Sequence, residues 1–209
     1  MRKKKYGAWI MGAVASLVIS AGITSAYLAA STDTLQNVIT AGSVRASLIE
    51  EKWQPQAGMT VYPGQQLEKD PAVENTGEND ANVFLEVQIP VEMIALVNEE
   101  TGMKTEKRKT ELFAFDPNLE NWELVGREEA EEKVIYVYGY KSTIKPGEIT
   151  MPLFQQLRTV FYLEGDLDIS KNYDVPVIAK VIQANEEEPI AEIYEKYLKQ
   201  SEEDSKEVL

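Results

Sequence analysis

The chain has 209 residues, with 35 Asp and Glu against 21 Lys and Arg, and it contains neither histidine nor cysteine. The lack of histidine excludes a Ser-His-Asp triad, a Cys-His pair and any His-ligated zinc site. The lack of cysteine excludes disulfides as a source of stability. The formal net charge of −14 disfavours nucleic-acid binding, because phosphates are repelled.

Residues 1–30 have the charge pattern of an export signal. Four basic residues, Arg2 to Lys5, precede an uncharged stretch that continues to Asp33. Small residues at 24–26 and 29–31 offer candidate cleavage sites. The stretch is also long enough to remain as an uncleaved membrane anchor, which needs about 20 residues. In both cases the basic end stays inside and the rest of the chain is delivered outside the cytosol. We therefore divide the chain into a signal peptide or anchor at 1–30, a domain at 31–185 and a C-terminal segment at 186–209.

Residues 31–185 alternate between apolar and polar side chains in four stretches, at 44–50, 81–91, 134–140 and 173–184. The clearest is 81–91, where Val83, Leu85, Val87 and Ile89 share one face. Pro176 is expected at the beginning of the last strand or at a sheet edge. Such short strands predict an all-β, antiparallel sandwich.

Turn residues separate these stretches. Pro63-Gly64 and Pro146-Gly147 predict tight turns, and residues 75–80 a polar loop. The charged segment 92–109 predicts a surface insertion, as a hairpin or a short helix. The acidic run 128–132 predicts a solvated loop or one helical turn rather than a functional acidic patch. For residues 165–168 we favour a solvated turn over a weak calcium site, because the later oxygen ligands of a calcium loop are missing.

The C-terminal segment has a helical pattern that begins at Pro189, a residue suited to a first helical turn. The stripe is expected to pack on the sandwich, with a partner-binding role as the alternative, and residues 201–209 are expected to fray. Glu192 with Lys196 and Glu195 with Lys199 have the spacing of favourable pairs. The apolar residues at helical spacing are Ile190, Ile193, Tyr194, Tyr197 and Leu198.

Several motifs, taken in order over residues 1–184, resemble the TasA/camelysin family of exported Gram-positive proteins. The leader ending in Ala29-Ala30-Ser31 precedes Val38-Ile39-Thr40-Ala41-Gly42. The motifs further along are Val61-Tyr62-Pro63-Gly64, Lys69-Asp70-Pro71-Ala72-Val73-Glu74-Asn75-Thr76-Gly77, Asn82-Val83-Phe84-Leu85-Glu86-Val87, Trp122-Glu123-Leu124-Val125, Tyr138-Gly139-Tyr140, Pro146-Gly147-Glu148-Ile149-Thr150, Pro152-Leu153-Phe154 and Val181-Ile182-Gln183-Ala184.

This resemblance implies a jelly-roll-like sandwich that is processed by a dedicated signal peptidase of the SipW type and self-associates into extracellular biofilm fibres. In the TasA type an N-terminal segment is donated as a strand to the next subunit, so that an open sheet edge gains backbone hydrogen bonds. Here the donor would be residues 31–42, with Leu35, Val38 and Ile39 as apolar anchors, and cleavage would expose it. Pairing of this segment within its own subunit is the alternative.

The resemblance does not carry every property over. Some family members are described as metalloproteases, but a chain without histidine has no His-ligated zinc site, so we expect neither an enzyme nor a cofactor. The C-terminal helix is not part of the resemblance. A second hypothesis, from a different class, is a monomeric surface module that is held by an uncleaved anchor and recognises a cation or a cell-wall ligand.

Overall fold

The computed structural model describes residues 36–37, 44–53, 62–168, 170–171, 173–184 and 188–207. The expected leader at 1–30 lies outside these residues. Within them the chain forms eleven strands and one helix. They are β1 (Gln36–Asn37), β2 (Ala46–Ile49), β3 (Gln66–Glu68), β4 (Ala72–Asn75), β5 (Ala81–Ile94), β6 (Arg108–Glu111), β7 (Phe113–Phe115), β8 (Trp122–Glu129), β9 (Lys133–Tyr140), β10 (Gln156–Thr159), β11 (Val177–Gln183) and α1 (Ile190–Glu207).

The strands form one large sheet and two small ones. The large sheet has the order β1-β11-β5-β9-β8, and β6 pairs with the far end of β5. The small sheets are β3-β10-β7 and β2-β4. All pairings are antiparallel except that of β1 with β11. The predicted all-β class and antiparallel sheets are therefore confirmed.

The main core lies between the large sheet and the two small sheets. The predicted inner face of β5 contributes Val83, Leu85, Val87 and Ile89, which are all fully buried. They pack in one cluster with side chains from the small sheets and the neighbouring strands. Burial of each such side chain stabilises the fold by roughly 1.5–3 kcal/mol. The other buried members include Leu48, Val73, Phe113, Trp122, Tyr138, Leu157, Ala179 and Val181.

The outer face of the large sheet is covered by α1. Phe84 packs there with Val137, Ile190, Ile193 and Tyr194, and the rings of Phe84 and Tyr194 have centroids 5.2 Å apart. The expectation that the helical stripe packs on the sandwich is therefore confirmed. Among the described residues, no helix has both the length and the apolarity needed to cross a bilayer.

Two glycines in the large sheet leave space for the helix. A Cβ added at Gly139 would lie 2.5 Å from Cγ1 of Ile190 and 3.1 Å from the ring of Phe84. At Gly126 the nearest atom is on the ring of Tyr194, at 3.1 Å. Gly139 thus sets how closely the first turn of α1 approaches β9.

The segment 92–109 forms a hairpin, one of the two forms expected, because β5 continues to Ile94 and pairs with β6. Two other predictions about charged segments need correction. The run 128–132 is not a loop throughout, since Glu128 and Glu129 end β8 and pair with β9. Residues 201–207 continue α1 rather than fray. In β8 the backbone pairing accommodates Glu128 and Glu129, whose side chains are exposed.

The predicted turns are present at both Pro-Gly pairs. Gly64 and Gly147 have φ of 71° and 80°, the left-handed region that glycine adopts without steric cost. Each turn is closed by a hydrogen bond, from Gln65 N–H to the Tyr62 carbonyl and from Glu148 N–H to the Lys145 carbonyl.

Substitution of Gly139 by alanine tests the close approach of α1. We expect Gly139→Ala to lower the free energy of unfolding by about 1–3 kcal/mol, because the added methyl overpacks the contact with Ile190. Gly126→Ala is the matched control, since its nearest neighbour is the end of a tyrosine ring, and it should cost less. Urea denaturation measures both. Ile190→Ala in the same chain should recover part of the Gly139→Ala loss, and purely additive effects would contradict the proposed contact.

Candidate strand-acceptor edge

Strand β11 lies next to one edge of the large sheet. Val177, Ala179 and Val181 point into the core and are buried, whereas Ile178, Lys180 and Ile182 lie half-buried on the outer face. Its inner partner is β5, with a register in which Ala179 faces Leu85. The β-branched residues of this strand suit an extended backbone that is packed on both faces.

The outer edge of β11 pairs with β1. Gln36 lies opposite Ile178 and Asn37 opposite Ala179, and the two strands run parallel. Strand β1 belongs to the segment 31–42, which was predicted to act as a strand donor. The structure thus brings Gln36 and Asn37 of this segment to a defined edge, in the intramolecular arrangement that the sequence left as an alternative.

The other edge of the large sheet, β8, has features that oppose strand addition. A register shift between Leu124 and Gly126 interrupts its pairing with β9. Bulges and charged residues are the usual means by which edge strands avoid edge-to-edge association. The exposed charged residues of β8 are Glu123, Arg127, Glu128 and Glu129. Strand β11 has a single charged residue and pairs with β5 without a register shift.

That single charge, Lys180, is engaged within the sheet. Its Nζ lies 2.6 Å from Oε2 of Glu86 on β5, and both side chains are mostly buried. Burial opposes ionisation of Glu86, but the hydrogen bond and the charge of Lys180 outweigh it and lower the pKa of this carboxyl. Burial likewise opposes the charge of Lys180, and Glu86 more than compensates and raises the pKa of the amine. The pair therefore links β11 to β5 through their side chains, and it leaves no unpaired charge on β11.

The predicted anchors Leu35, Val38 and Ile39 lie outside the described residues. They flank β1 in the sequence, and their role as anchors stays a prediction.

The loop with Asp166 and Asp168 is a turn, as we favoured. Asp166 accepts a hydrogen bond from the Ala95 N–H and pairs with Lys107. Asp168 accepts hydrogen bonds from Ser170. In the part of the chain that the structure describes, no three carboxylates are grouped as metal ligands.

The motif at residues 69–77 connects loops and strands. Asn75 is fully buried, and its side-chain amide donates to the carbonyls of Asn79 and Ile144 while its oxygen accepts from the Gly77 N–H. Its backbone carbonyl also accepts from the N–H of Gly147, in the second Pro-Gly turn. Asn75 therefore links its own loop at residues 75–80 to the Pro146-Gly147 turn, which gives this motif a structural role.

The first residue of the same motif, Lys69, has an unexpected environment. Its side chain is fully buried and contacts Glu50, which follows β2. Sequence reasoning missed this pair, because lysine and glutamate are ordinarily exposed and nothing in the local pattern distinguishes these two. The only signal was the position of Lys69 inside a motif.

No protein-family model matches this chain, and neither a curated protein nor a solved structure matches it.

The Lys180–Glu86 pair predicts how the stability depends on pH. Because the pKa of Glu86 is lowered from its ordinary 4.5, its contribution is present above that pH and is lost as the pH falls through the lowered value. Because the pKa of Lys180 is raised from 10.5, the contribution persists below that pH and is lost as the pH rises through the raised value.

Glu86→Gln should therefore reduce the dependence of the unfolding free energy on pH, both in acid and in alkali. Near pH 7 it should cost on the order of 1–3 kcal/mol, because Lys180 is left mostly buried without its partner. Glu123→Gln, on the exposed part of β8, is the control. If Glu86→Gln keeps the same slope in acid as the unaltered chain, this pair does not set the acid limb.

Proposed function

We propose that this chain is an exported structural protein whose subunits assemble into extracellular fibres by donating residues 31–42 to the β11 edge of a neighbour. The proposal includes removal of residues 1–30 by a dedicated signal peptidase and a jelly-roll-like arrangement of the strands. The observation that carries it is the parallel pairing of β1 with β11, because the predicted donor segment lies at a strand edge.

This segment can exchange between subunits because contacts within one subunit are replaced by identical contacts between two subunits. A neighbour's Gln36 and Asn37 would take the same register against Ile178 and Ala179, so the backbone hydrogen bonds would be the same. Parallel pairs are slightly less stable per residue than antiparallel ones, which lowers the cost of releasing the segment from its own subunit.

The difference between the two edges gives the fibre a direction. The bulge and the charges of β8 oppose pairing, whereas β11 has an ordered register and a neutralised lysine. A donor at the N-terminus and an acceptor at a single edge form a head-to-tail contact, which propagates into a filament when its rotation does not close a ring.

Disulfide trapping tests the proposal directly, since the chain has no cysteine of its own. We expect a chain with Gln36→Cys, mixed with a chain with Ile178→Cys, to form a disulfide-linked dimer when the processed protein assembles. Directly paired residues have Cα atoms within the range that a disulfide spans, about 4.4–6.8 Å. Denaturing gels without reductant measure the dimer, and electron microscopy records the filaments.

The matched control pairs Gln36→Cys with Glu123→Cys, which places the second cysteine on the β8 edge and should give no dimer. Replacement of Leu35, Val38 and Ile39 by aspartate should abolish both dimer and filaments. A protein that stays monomeric, and forms the 36–178 disulfide only when both cysteines are in the same chain, would refute strand donation. That result would favour the monomeric surface module.

A further inference from the structure

A buried amine and a buried carboxyl meet where the two small sheets adjoin. Glu50 directly follows β2, and Lys69 directly follows β3. Nζ of Lys69 lies 2.8 Å from Oε1 of Glu50, and the side chains are 0% and 6% exposed. The ring of Trp53 covers the amine, with Nζ 4.3 Å from the ring centroid.

The contact between Lys69 and Glu50 does not have the angles of a hydrogen bond. Among the described residues, neither Nζ of Lys69 nor Oε1 of Glu50 has a hydrogen-bond partner, and Nε1 of Trp53 also lacks one. Buried charged groups are ordinarily paired and hydrogen-bonded, because desolvation is otherwise uncompensated. Lys69 and Glu50 are paired, but no hydrogen bond joins them, so an ion pair alone does not account for their burial.

The surroundings favour the uncharged form of the carboxyl. Burial holds the pKa of Glu50 above its ordinary value, against the opposing attraction of Lys69, and the charges of Asp174 and Asp70 raise it further. An amine and a carboxyl held in contact away from water are the two partners of an amide condensation.

We propose that Lys69 and Glu50 are a self-modification site, at which an amide bond joins Nζ of Lys69 to Cδ of Glu50. The lone pair of Nζ attacks Cδ, which is bonded to the oxygen that Nζ already contacts. Counted from the ammonium and the carboxylate, one proton passes from Nζ to a carboxyl oxygen before the attack. A second proton follows as that carbon–oxygen bond breaks, so that one water molecule leaves. The reaction changes no oxidation state and needs no co-reactant.

Proximity lowers the barrier to the reaction. Well-oriented groups that a folded protein holds in contact react as if at effective concentrations of about 10⁵–10⁸ M. The buried environment and the Trp53 ring also keep water from the product. Folding alone therefore brings about the reaction.

The bond would connect the two small sheets covalently. Glu50 continues β2, which pairs with β4, and Lys69 continues β3, which pairs with β10. In a chain without cysteine, such a cross-link takes the place of a disulfide. If the proposed function also holds, tension on the donor segment enters the domain through β2, and the cross-link transmits it to the body of the sandwich.

Mass spectrometry of the purified full chain tests the cross-link without any substitution. We expect the intact protein to be lighter by the mass of one water molecule than its sequence requires. A protease digest should contain one branched peptide that includes both Glu50 and Lys69. The full mass in a folded protein, or a water loss located elsewhere, would overturn the proposal and leave a buried ion pair.

Two comparisons distinguish a covalent bond between the two side chains from a simple contact. The pair of Lys171 and Glu92 has the same 2.8 Å separation but is hydrogen-bonded and more exposed, and it should remain unlinked. Glu50→Ala should have the full mass, and Glu50→Gln should be linked with loss of ammonia instead of water. Neither readout depends on fibre formation, so failure of strand donation and failure of the cross-link are distinguishable.

Discussion

The burial of β5 on both of its faces is the constraint on which the rest of the structure depends. This strand is 14 residues long and pairs with β11, β9 and β6. Its inner face is covered by the small sheets, and its outer face carries Phe84, which is as deeply buried as the inner residues. A strand with apolar residues on both faces needs a layer on each side, because a sheet with an exposed aromatic side chain is prone to association.

The C-terminal helix covers the outer face of β5, and this explains several features of that face. Gly139 lets Ile190 approach the sheet, and Tyr194 packs on Phe84. The Lys180–Glu86 pair lies on the same outer face, and Tyr194 contributes to the electrostatic environment of Lys180. Because a helix covers this face, the remaining surfaces through which the large sheet can associate are its two edges. The bulged and charged β8 opposes association, whereas the β11 edge accepts β1.

Buried polar side chains of this protein have two different kinds of environment. Asn75 is buried and fully hydrogen-bonded, and it joins turns that are distant in the sequence. Lys69 and Glu50 are buried in contact, but Nζ of Lys69 and Oε1 of Glu50 have no hydrogen-bond partner among the described residues. Both belong to, or contact, the motif at residues 69–77, which therefore organises the interior of the domain around its turns and the ends of its small sheets. The exposed face of this motif consists mainly of turn residues.

The sequence by itself determined the all-β class, the long strands, the two Pro-Gly turns and the helix, because each depends on a local pattern. Alternation along β5, β9 and β11 marks the face that points into the main core, and the spacing from Ile190 to Tyr197 reflects the period of a helix. Strands of three or four residues, such as β3 and β7, are too short to show a period. The strand β8 was missed because its edge position leaves most of its side chains in solvent.

Only the tertiary structure decided which residues from distant parts of the chain meet. The parallel register of β1 on β11, the salt bridge between Lys180 and Glu86 and the buried contact of Lys69 with Glu50 all join segments that no local pattern connects. Such contacts arise when sheets pack and exclude water, and their energies depend on burial and geometry rather than on residue type. The sequence suggested a donor segment, and the structure supplied the edge at which that segment lies.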